Sequence, residues 1–207
     1  MTRTIVVTGT DTDIGKTVFC AGLTAALGAK YWKPVQAGLA GGSDSTRVAE
    51  LGVPEAMIVP ETYRLTTPCS PHRAAELDGV AIDPAQLAVP AHEGALVIEG
   101  AGGALVPVTR ELLYADLFAR WGAPTIIVAR TGLGTINHSL MTIEALRARG
   151  VPLLGIAFVG SPEPDSEDTI CAMGGIERLG RLPRLAPLTR DTLAAAFESN
   201  FDIERFL

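Results

Sequence analysis

The sequence predicts an α/β fold with a mostly parallel β-sheet and helices on both faces. Short continuous apolar runs, such as 95–98 and 125–129, are typical of strands buried on both faces. These runs alternate with longer segments of helical pattern, as in successive βαβ units. The chain has 207 residues, enough for one sizeable core, so we predict a single domain over residues 1–207.

Each predicted strand is a short apolar segment, mostly bounded by glycine, proline or polar residues. The first precedes a glycine-containing turn, and the second ends in Lys33 and Pro34. We predict strands over 4–7, 29–35, 62–65, 95–98, 125–129, 153–159 and 175–182.

The predicted helices follow spacing of apolar residues and helix-boundary signals. Ser43 is a suitable N-cap for a helix that begins at Asp44, and Gly150 ends a long amphipathic segment. We predict helices over 18–27, 44–51, 72–77, 113–121, 135–149 and 189–199. Glycine and proline favour loops over 36–43, 66–71 and 161–168.

Composition narrows the class of function. Hydrophobic residues make up 47% and charged residues 19%, which indicates a globular chain. The net charge of −6 argues against nucleic-acid and anionic-membrane partners. No apolar run approaches the ~20 residues of a membrane span, and the N-terminus lacks a signal-peptide core. The three separated cysteines are typical of reduced thiols, so we predict a cytoplasmic protein.

The segment 9–17, GTDTDIGKT, lies between a predicted strand and a predicted helix. Backbone N–H groups of such a turn, together with the start of the helix, attract phosphate. Lys16 supplies a positive charge for the outer phosphates, and the Thr17 hydroxyl is a hard oxygen ligand for Mg²⁺. The common motif places its first glycine at position 10, whereas this chain has Gly9 and Thr10. The context still predicts a phosphate loop and a P-loop NTPase-type fold.

Three further charged residues lie where the elements begin or end. Glu99 follows a buried strand and precedes three glycines, Asp44 begins a helix, and Lys33 lies in an apolar strand end. Ligands of parallel sheets bind beyond the carboxyl ends of the strands. We therefore expect one cleft to collect the phosphate loop, Lys33, Glu99 and Gly160, with Thr17, Asp44 and Glu99 as Mg²⁺ ligands. The alternatives are N-capping for Asp44, capping of a strand end for Glu99, and a surface edge position for Lys33.

These motifs together resemble the dethiobiotin synthetase family. The resemblance rests on segments 8–17 (TGTDTDIGKT), 33–35 (KPV), 43–44 (SD), 70–72 (SPH), 99–103 (EGAGG) and 134–138 (GTINH). It implies formation of the ureido ring of dethiobiotin from 7,8-diaminononanoate, CO₂ (or bicarbonate) and ATP with Mg²⁺. It also implies a homodimer in which the active site lies at the subunit interface.

The resemblance assigns roles to individual residues. The implied catalytic residues are Thr12, Lys16 and Lys33. The implied nucleotide-binding residues are Asp13, Ile14, Gly15, Lys16, Thr17, Val18, Asp44, Glu99, Gly100, Ala101, Gly102, Gly160, Pro183, Arg184 and Leu185. The implied substrate-binding residues are Thr12, Lys33, Ala37, Ser70, Pro71, Leu133, Gly134 and Asn137, with Ser70 and the Asn137 region receiving the distant carboxylate from the second subunit.

The sequence departs from the family pattern in ways that affect specificity. Ala37 stands where a hydroxyl residue is common, and Val159 with Gly160 replaces an Asn-containing pair. Because neither Val159 nor Gly160 has a polar side chain, we expect weak discrimination between nucleotide bases.

Two other functions remain open from the sequence. One is a P-loop ATPase switch of the partitioning or ion-pump type, although position 11 is Asp11 where such proteins typically carry a lysine. The other is an amide-forming synthetase that acts on a corrin precursor.

Overall fold

A central parallel sheet organises the molecule. The computed structural model describes residues 2–206. Its strands are β1 Arg3–Gly9, β2 Lys30–Trp32, β3 Val35–Ala37, β4 Ile58–Val59, β5 Tyr63–Leu65, β6 Ala95–Gly103, β7 Thr125–Arg130, β8 Leu153–Val159 and β9 Arg178–Leu182. Seven of them form one sheet in the order β4-β2-β6-β1-β7-β8-β9, while β3 and β5 form a separate pair. Every paired neighbour in both sheets is parallel, as predicted.

The helices are α1 Lys16–Leu27, α2 Asp44–Glu50, α3 Pro71–Asp78, α4 Tyr114–Trp121, α5 Thr135–Arg147, α6 Pro164–Gly174 and α7 Arg190–Asn200. Short 3₁₀ turns cover Glu55–Met57, Pro84–Leu87 and Ile203–Phe206. None of the helices described between residues 2 and 206 has the length and apolar character needed to cross a membrane.

Apolar side chains pack on both faces of the sheet. In β1, Val6 belongs to one cluster, which includes residues of α3, α4, α5 and α6. Ile5 and Val7 belong to the other cluster, which includes residues of α1, α2 and α7. Successive side chains of a strand point to opposite faces, so a continuous apolar run is buried on both faces of the sheet. The predicted α/β class with helices on both faces is confirmed.

Two predicted segments differ from the structure near the cleft. The single strand predicted over 29–35 is two strands, β2 and β3, which join different sheets. Pro34 lies between them and has no N–H for a strand ladder, so the pairing breaks there. The loop predicted over 36–43 accordingly begins within β3. The strand predicted to end before Glu99 continues to Gly103, because β1 pairs with β6 as far as that glycine.

The loop predicted over 161–168 was also wrong, because α6 begins inside it at Pro164. Proline fits the first turn of a helix, where its missing N–H has no intrahelical partner. Pro164 therefore marks the start of a helix rather than a loop. The two-residue strand β4 was not predicted, since so short a segment has no periodicity to detect.

Candidate functional site

The segment between β1 and α1 forms a tight loop at the carboxyl end of the central strand. Gly15 caps α1 with a left-handed φ of 99°, and Asp13 also has a positive φ, of 54°. A Cβ atom at Gly9 would lie 2.8 Å from the side chains of Ile14 and Lys16. A larger residue at position 9 would therefore crowd the loop where the chain folds back on itself, although the common motif has its glycine one residue later.

Lys16 lies beneath this loop and is buried. Its ammonium group donates to the Asp11 carbonyl at 2.7 Å. Burial, and then the positive charge of Lys33, lower the pKa of Lys16. An anion bound in the loop would oppose both effects, because it would pair with the ammonium charge.

Oxygen atoms from three elements meet at Thr17. The Thr17 hydroxyl lies 3.1 Å from Asp44 Oδ1 and 2.9 Å from Glu99 Oε1. One hydroxyl has a single proton, so the two carboxylates share it. Mg²⁺ prefers hard oxygen ligands and commonly takes one or two carboxylates besides phosphate and water. This donor set fits that ion.

Lys33 links the same two carboxylates. Its Nζ lies 2.5 Å from Asp44 Oδ2, 3.0 Å from Glu99 Oε1 and 3.0 Å from the Gly100 carbonyl oxygen. Burial alone would lower the pKa of Lys33, but the charges of Glu99 and Asp44 outweigh it and raise that pKa. Burial would likewise raise the pKa of Asp44, and the charge of Lys33 reverses this and lowers it.

Sequence reasoning missed two residues that hold Glu99 and Asp44 in place. The Tyr31 hydroxyl donates to Glu99 Oε2 at 2.8 Å, and Gln36 Oε1 accepts the backbone N–H of Asp44 at 2.9 Å. Tyr31 precedes Lys33 by two residues, and this spacing in a strand could have indicated a shared face. Gln36 lay in a predicted loop and gave no such signal.

Burial also shapes the chemistry behind Glu99. Burial, followed by the charge of Glu99, raises the pKa of both the Tyr31 hydroxyl and the Cys20 thiol. Cys20 is fully buried, Cys171 is partly exposed and Cys69 is exposed; all three are free, as predicted. Both groups behind Glu99 therefore stay protonated at neutral pH.

A cleft of about 900 Å³ opens over these groups. It is lined by most of the residues predicted for the site: Thr12, Asp13, Gly15, Lys16, Thr17, Val18, Lys33, Ala37, Asp44, Ser70, Pro71, Glu99, Ala101 and Gly102. It is also lined by residues that were not predicted: Gln36, Gly38, Ala40, Gly41, Gly42, Pro68, Cys69 and Val106.

The remaining predicted residues lie outside this lining. Ile14 is packed in the core, and Gly100 lies within β6, where its carbonyl accepts from Lys33. Gly160 follows β8, and residues 183–185 follow β9 at the edge of the sheet. Leu133, Gly134 and Asn137 lie at the start of α5, with the Leu133 side chain fully exposed.

The end of β8 lies close to the phosphate loop. A Cβ atom at Gly15 would come within 2.8 Å of Val159 Cγ1. Gly160 has a φ of 134°, and its carbonyl accepts from Arg181 Nη1 at 3.4 Å. The position expected to contact the base is thus next to the loop, and it offers an apolar side chain followed by backbone.

Solved structures confirm the P-loop NTPase-type fold. A ParA family ATPase from Chlorobium tepidum has a TM-score of 0.54 at 12% identity, covering 99% of this chain and 92% of that protein. The septum site-determining protein MinD from Pyrococcus horikoshii has a TM-score of 0.54 at 16% identity, covering 95% and 86%. Likeness at such low identity extends to the fold and no further.

Sequence relatives give the family. A family model described as an AAA domain matches residues 3–192. The protein named ATP-dependent dethiobiotin synthetase BioD from Novosphingobium aromaticivorans is 66% identical over 97% of this chain and 98% of its own length. The protein of the same name from Rhizorhabdus wittichii is 64% identical over 100% and 99%. The chain therefore belongs to the family of ATP-dependent dethiobiotin synthetases.

Proposed function

We propose that this chain is a dethiobiotin synthetase of biotin biosynthesis. It converts 7,8-diaminononanoate, CO₂ and ATP to dethiobiotin, ADP and phosphate, with Mg²⁺. The observation that carries the proposal is the meeting of Lys16, Thr17, Lys33, Asp44 and Glu99 around one cleft. The family identity supplies the substrates, and the three free cysteines support a cytoplasmic location.

The reaction consists of three bond-forming steps. One amine of the substrate loses a proton and attacks CO₂, which gives a carbamate. A carbamate oxygen then attacks the γ-phosphorus of ATP, and the bond to the ADP oxygen breaks. The second amine attacks the carbonyl carbon of this mixed anhydride and loses a proton, and phosphate leaves as the ureido ring closes.

The chain's own residues bind and orient these groups. Backbone N–H groups of the phosphate loop and the Lys16 ammonium group hold the phosphates. Thr17, Asp44 and Glu99 would hold Mg²⁺, which when bound neutralises phosphate charge. Lys33 stabilises the negative charge that grows as the phosphoryl group transfers. Thr12, Ala37, Ser70 and Pro71 line the same cleft and position the diamine. No protein nucleophile is needed, so catalysis rests on positioning and charge stabilisation.

We also infer that the working unit is a homodimer. Leu133, Gly134 and Asn137 lie outside the lining of the cleft in their own chain, and Leu133 exposes its whole side chain. In a two-fold dimer this segment of one subunit can complete the cleft of the other. The N–H groups at the start of α5 then provide a site for the distant carboxylate of the substrate.

The direct test is product formation by the purified protein. Incubation with 7,8-diaminononanoate, bicarbonate and Mg·ATP should give dethiobiotin by mass spectrometry, with one phosphate released for each product. Omitting the diamine should abolish phosphate release. Diamine-independent phosphate release without dethiobiotin would instead support an ATPase switch.

A further inference from the structure

We infer that Tyr31 is a positioning residue for Glu99. Its hydroxyl holds one oxygen of the Glu99 carboxylate, and the other oxygen thereby faces Thr17 and the cleft. This inference rests on the proposed role of Glu99 in holding Mg²⁺, and it adds a residue to which neither the motifs nor the cleft lining assign a role.

The two oxygens of Glu99 have different partners. Oε1 accepts from Thr17 at 2.9 Å and from Lys33 at 3.0 Å, on the side of the cleft. Oε2 accepts from the Tyr31 hydroxyl at 2.8 Å, and both of these residues are buried, with 0% and 1% of their surfaces exposed for Tyr31 and Glu99. A buried carboxylate needs such partners, since each unpaired lone pair is costly away from water. The hydrogen bond therefore fixes the rotation of the carboxylate.

The sheet places Tyr31 rigidly in this position. Tyr31 lies in β2 between two parallel neighbours, opposite Val97 of β6 and Ile58 of β4. Glu99 follows Val97 by two residues and so points to the same face of the sheet. Tyr31 also packs in the apolar cluster under α1. Its hydroxyl consequently has little freedom to leave Glu99, and it can act as a fixed anchor.

Without this anchor Oε2 loses its buried partner, and only the contacts of Oε1 with Thr17 and Lys33 still orient the carboxylate. Groups that orient a metal ligand commonly change metal affinity by about 10–100-fold when they are removed. Tyr31→Phe removes one oxygen atom and keeps the ring, so it tests the anchor directly.

The measurement is the coupling between Mg²⁺ and nucleotide. We would determine by calorimetry the dissociation constant of a non-hydrolysable ATP analogue, once in EDTA and once in saturating Mg²⁺. The dissociation constant in EDTA divided by that in Mg²⁺ is the coupling ratio, and it reports the contribution of the metal site. We expect Tyr31→Phe to reduce this ratio about tenfold or more while the constant in EDTA stays at the parent value.

Tyr114→Phe is the matched control. Tyr114 is also fully buried, lies in α4 on the opposite face of the sheet, and has no hydrogen-bond partner for its hydroxyl among residues 2–206. Its ratio should equal that of the parent. Equal reductions in both variants would overturn the inference, because loss of any buried hydroxyl would then have the same effect.

Glu99→Gln separates the two proposals. A parental ratio in Glu99→Gln would reject its role in holding Mg²⁺, and the inference about Tyr31 with it. A reduced ratio in Glu99→Gln beside a parental ratio in Tyr31→Phe would reject only the anchor.

If Tyr31→Phe does not fold, a crystal structure of the unaltered protein with Mg²⁺ and the analogue decides the question. The Tyr31 hydroxyl should remain within about 3.2 Å of a Glu99 oxygen, and its separation would overturn the inference.

Discussion

At the residue scale, the two lysines of the cleft have different attachments, and their variants should differ accordingly. Lys16 bonds a backbone carbonyl of its own loop, whereas Lys33 neutralises two carboxylates, one of them fully buried. We expect Lys16→Ala and Lys33→Ala each to lower turnover about 100-fold or more, since each removes a charge that stabilises the transition state. Only Lys33→Ala should also reduce the free energy of unfolding, by about 3–5 kcal/mol, because it leaves the buried Glu99 carboxylate without its positively charged partner.

Turnover and urea unfolding, measured on both variants, check this difference. Lys30 is the only other lysine of the sequence and lies outside the cleft lining, so Lys30→Ala is the control and should retain parental turnover. Near-normal turnover in Lys33→Ala would contradict its proposed role.

Recognition of the nucleotide base also depends on individual residues. Val159 packs against Gly15, and Gly160 offers only its backbone. A site with no side-chain donor or acceptor cannot reject analogues strongly. We expect CTP, GTP and UTP to support turnover within about tenfold of ATP, equivalent to about 1.4 kcal/mol.

The check is kcat/KM for the four triphosphates at one Mg²⁺ concentration. An ATP preference above about 1000-fold would show that another side chain reads the base. Arg181, which reaches the Gly160 carbonyl, would then be the first residue to replace, followed by Arg184.

At the scale of elements, the contact between α1 and α7 depends on having glycine, with no side chain, at position 22. A Cβ atom at Gly22 would lie 2.1 Å from Phe197 Cε2. The Phe197 ring is held between Phe19 and Phe201, with centroids 5.4 and 4.6 Å away, and has little room to move. Although alanine favours a helix over glycine, we expect overpacking to dominate, so Gly22→Ala should lower the free energy of unfolding by about 1–3 kcal/mol.

Urea unfolding of Gly22→Ala against Gly41→Ala measures this effect. A Cβ atom at Gly41 meets no neighbour within 4 Å, so that variant should match the parent closely. Equal stability in Gly22→Ala would mean that α7 shifts freely away from α1.

The elements also show how far the sequence could predict the structure. The strand β8 was predicted at its observed bounds, and the helix after Ser43 was predicted at its start, because apolar runs and N-caps are local signals. The break at Pro34 was missed, since which sheet each half joins depends on distant strands. The rule that parallel strands end together predicted one cleft for the phosphate loop, Lys33, Glu99 and Gly160. Lys16, Lys33 and Glu99 line that cleft, whereas Gly160 lies outside its lining. Gln36 was missed because only its hydrogen bond with the Asp44 backbone reveals it, whereas the two-residue spacing of Tyr31 and Lys33 was a usable signal that was overlooked.

At the scale of the whole molecule, the proposed dimer predicts that two defective subunits can restore each other. Lys16→Ala damages the phosphate loop, and Asn137→Ala removes the polar side chain of the α5 segment proposed to complete the partner's cleft. In a two-fold dimer of one subunit of each kind, one cleft carries both defects and the other carries neither. Random mixing makes half of the dimers mixed, so activity should recover to about a quarter of the parent value.

Light scattering should give twice the chain mass of 21.7 kDa for the parent and for both variants. A mixture no more active than its components, or an active monomer, would contradict an active site that two subunits share. Mixing Lys16→Ala with Lys33→Ala is the control, since both changes damage the same cleft and should restore nothing.

The positions of the cysteines make the protein suitable for chemical labelling. Cys69 is exposed in the cleft, whereas Cys20 is fully buried in α1, directly behind Glu99. A thiol reagent can reach Cys69 in the folded state but can reach Cys20 only when α1 separates from the sheet. When closing is fast, the labelling rate of Cys20 therefore measures the free energy of that local opening. Nucleotide binding to the loop at the start of α1 should slow this rate, and the native chain can thus report occupancy of its own site without an introduced cysteine.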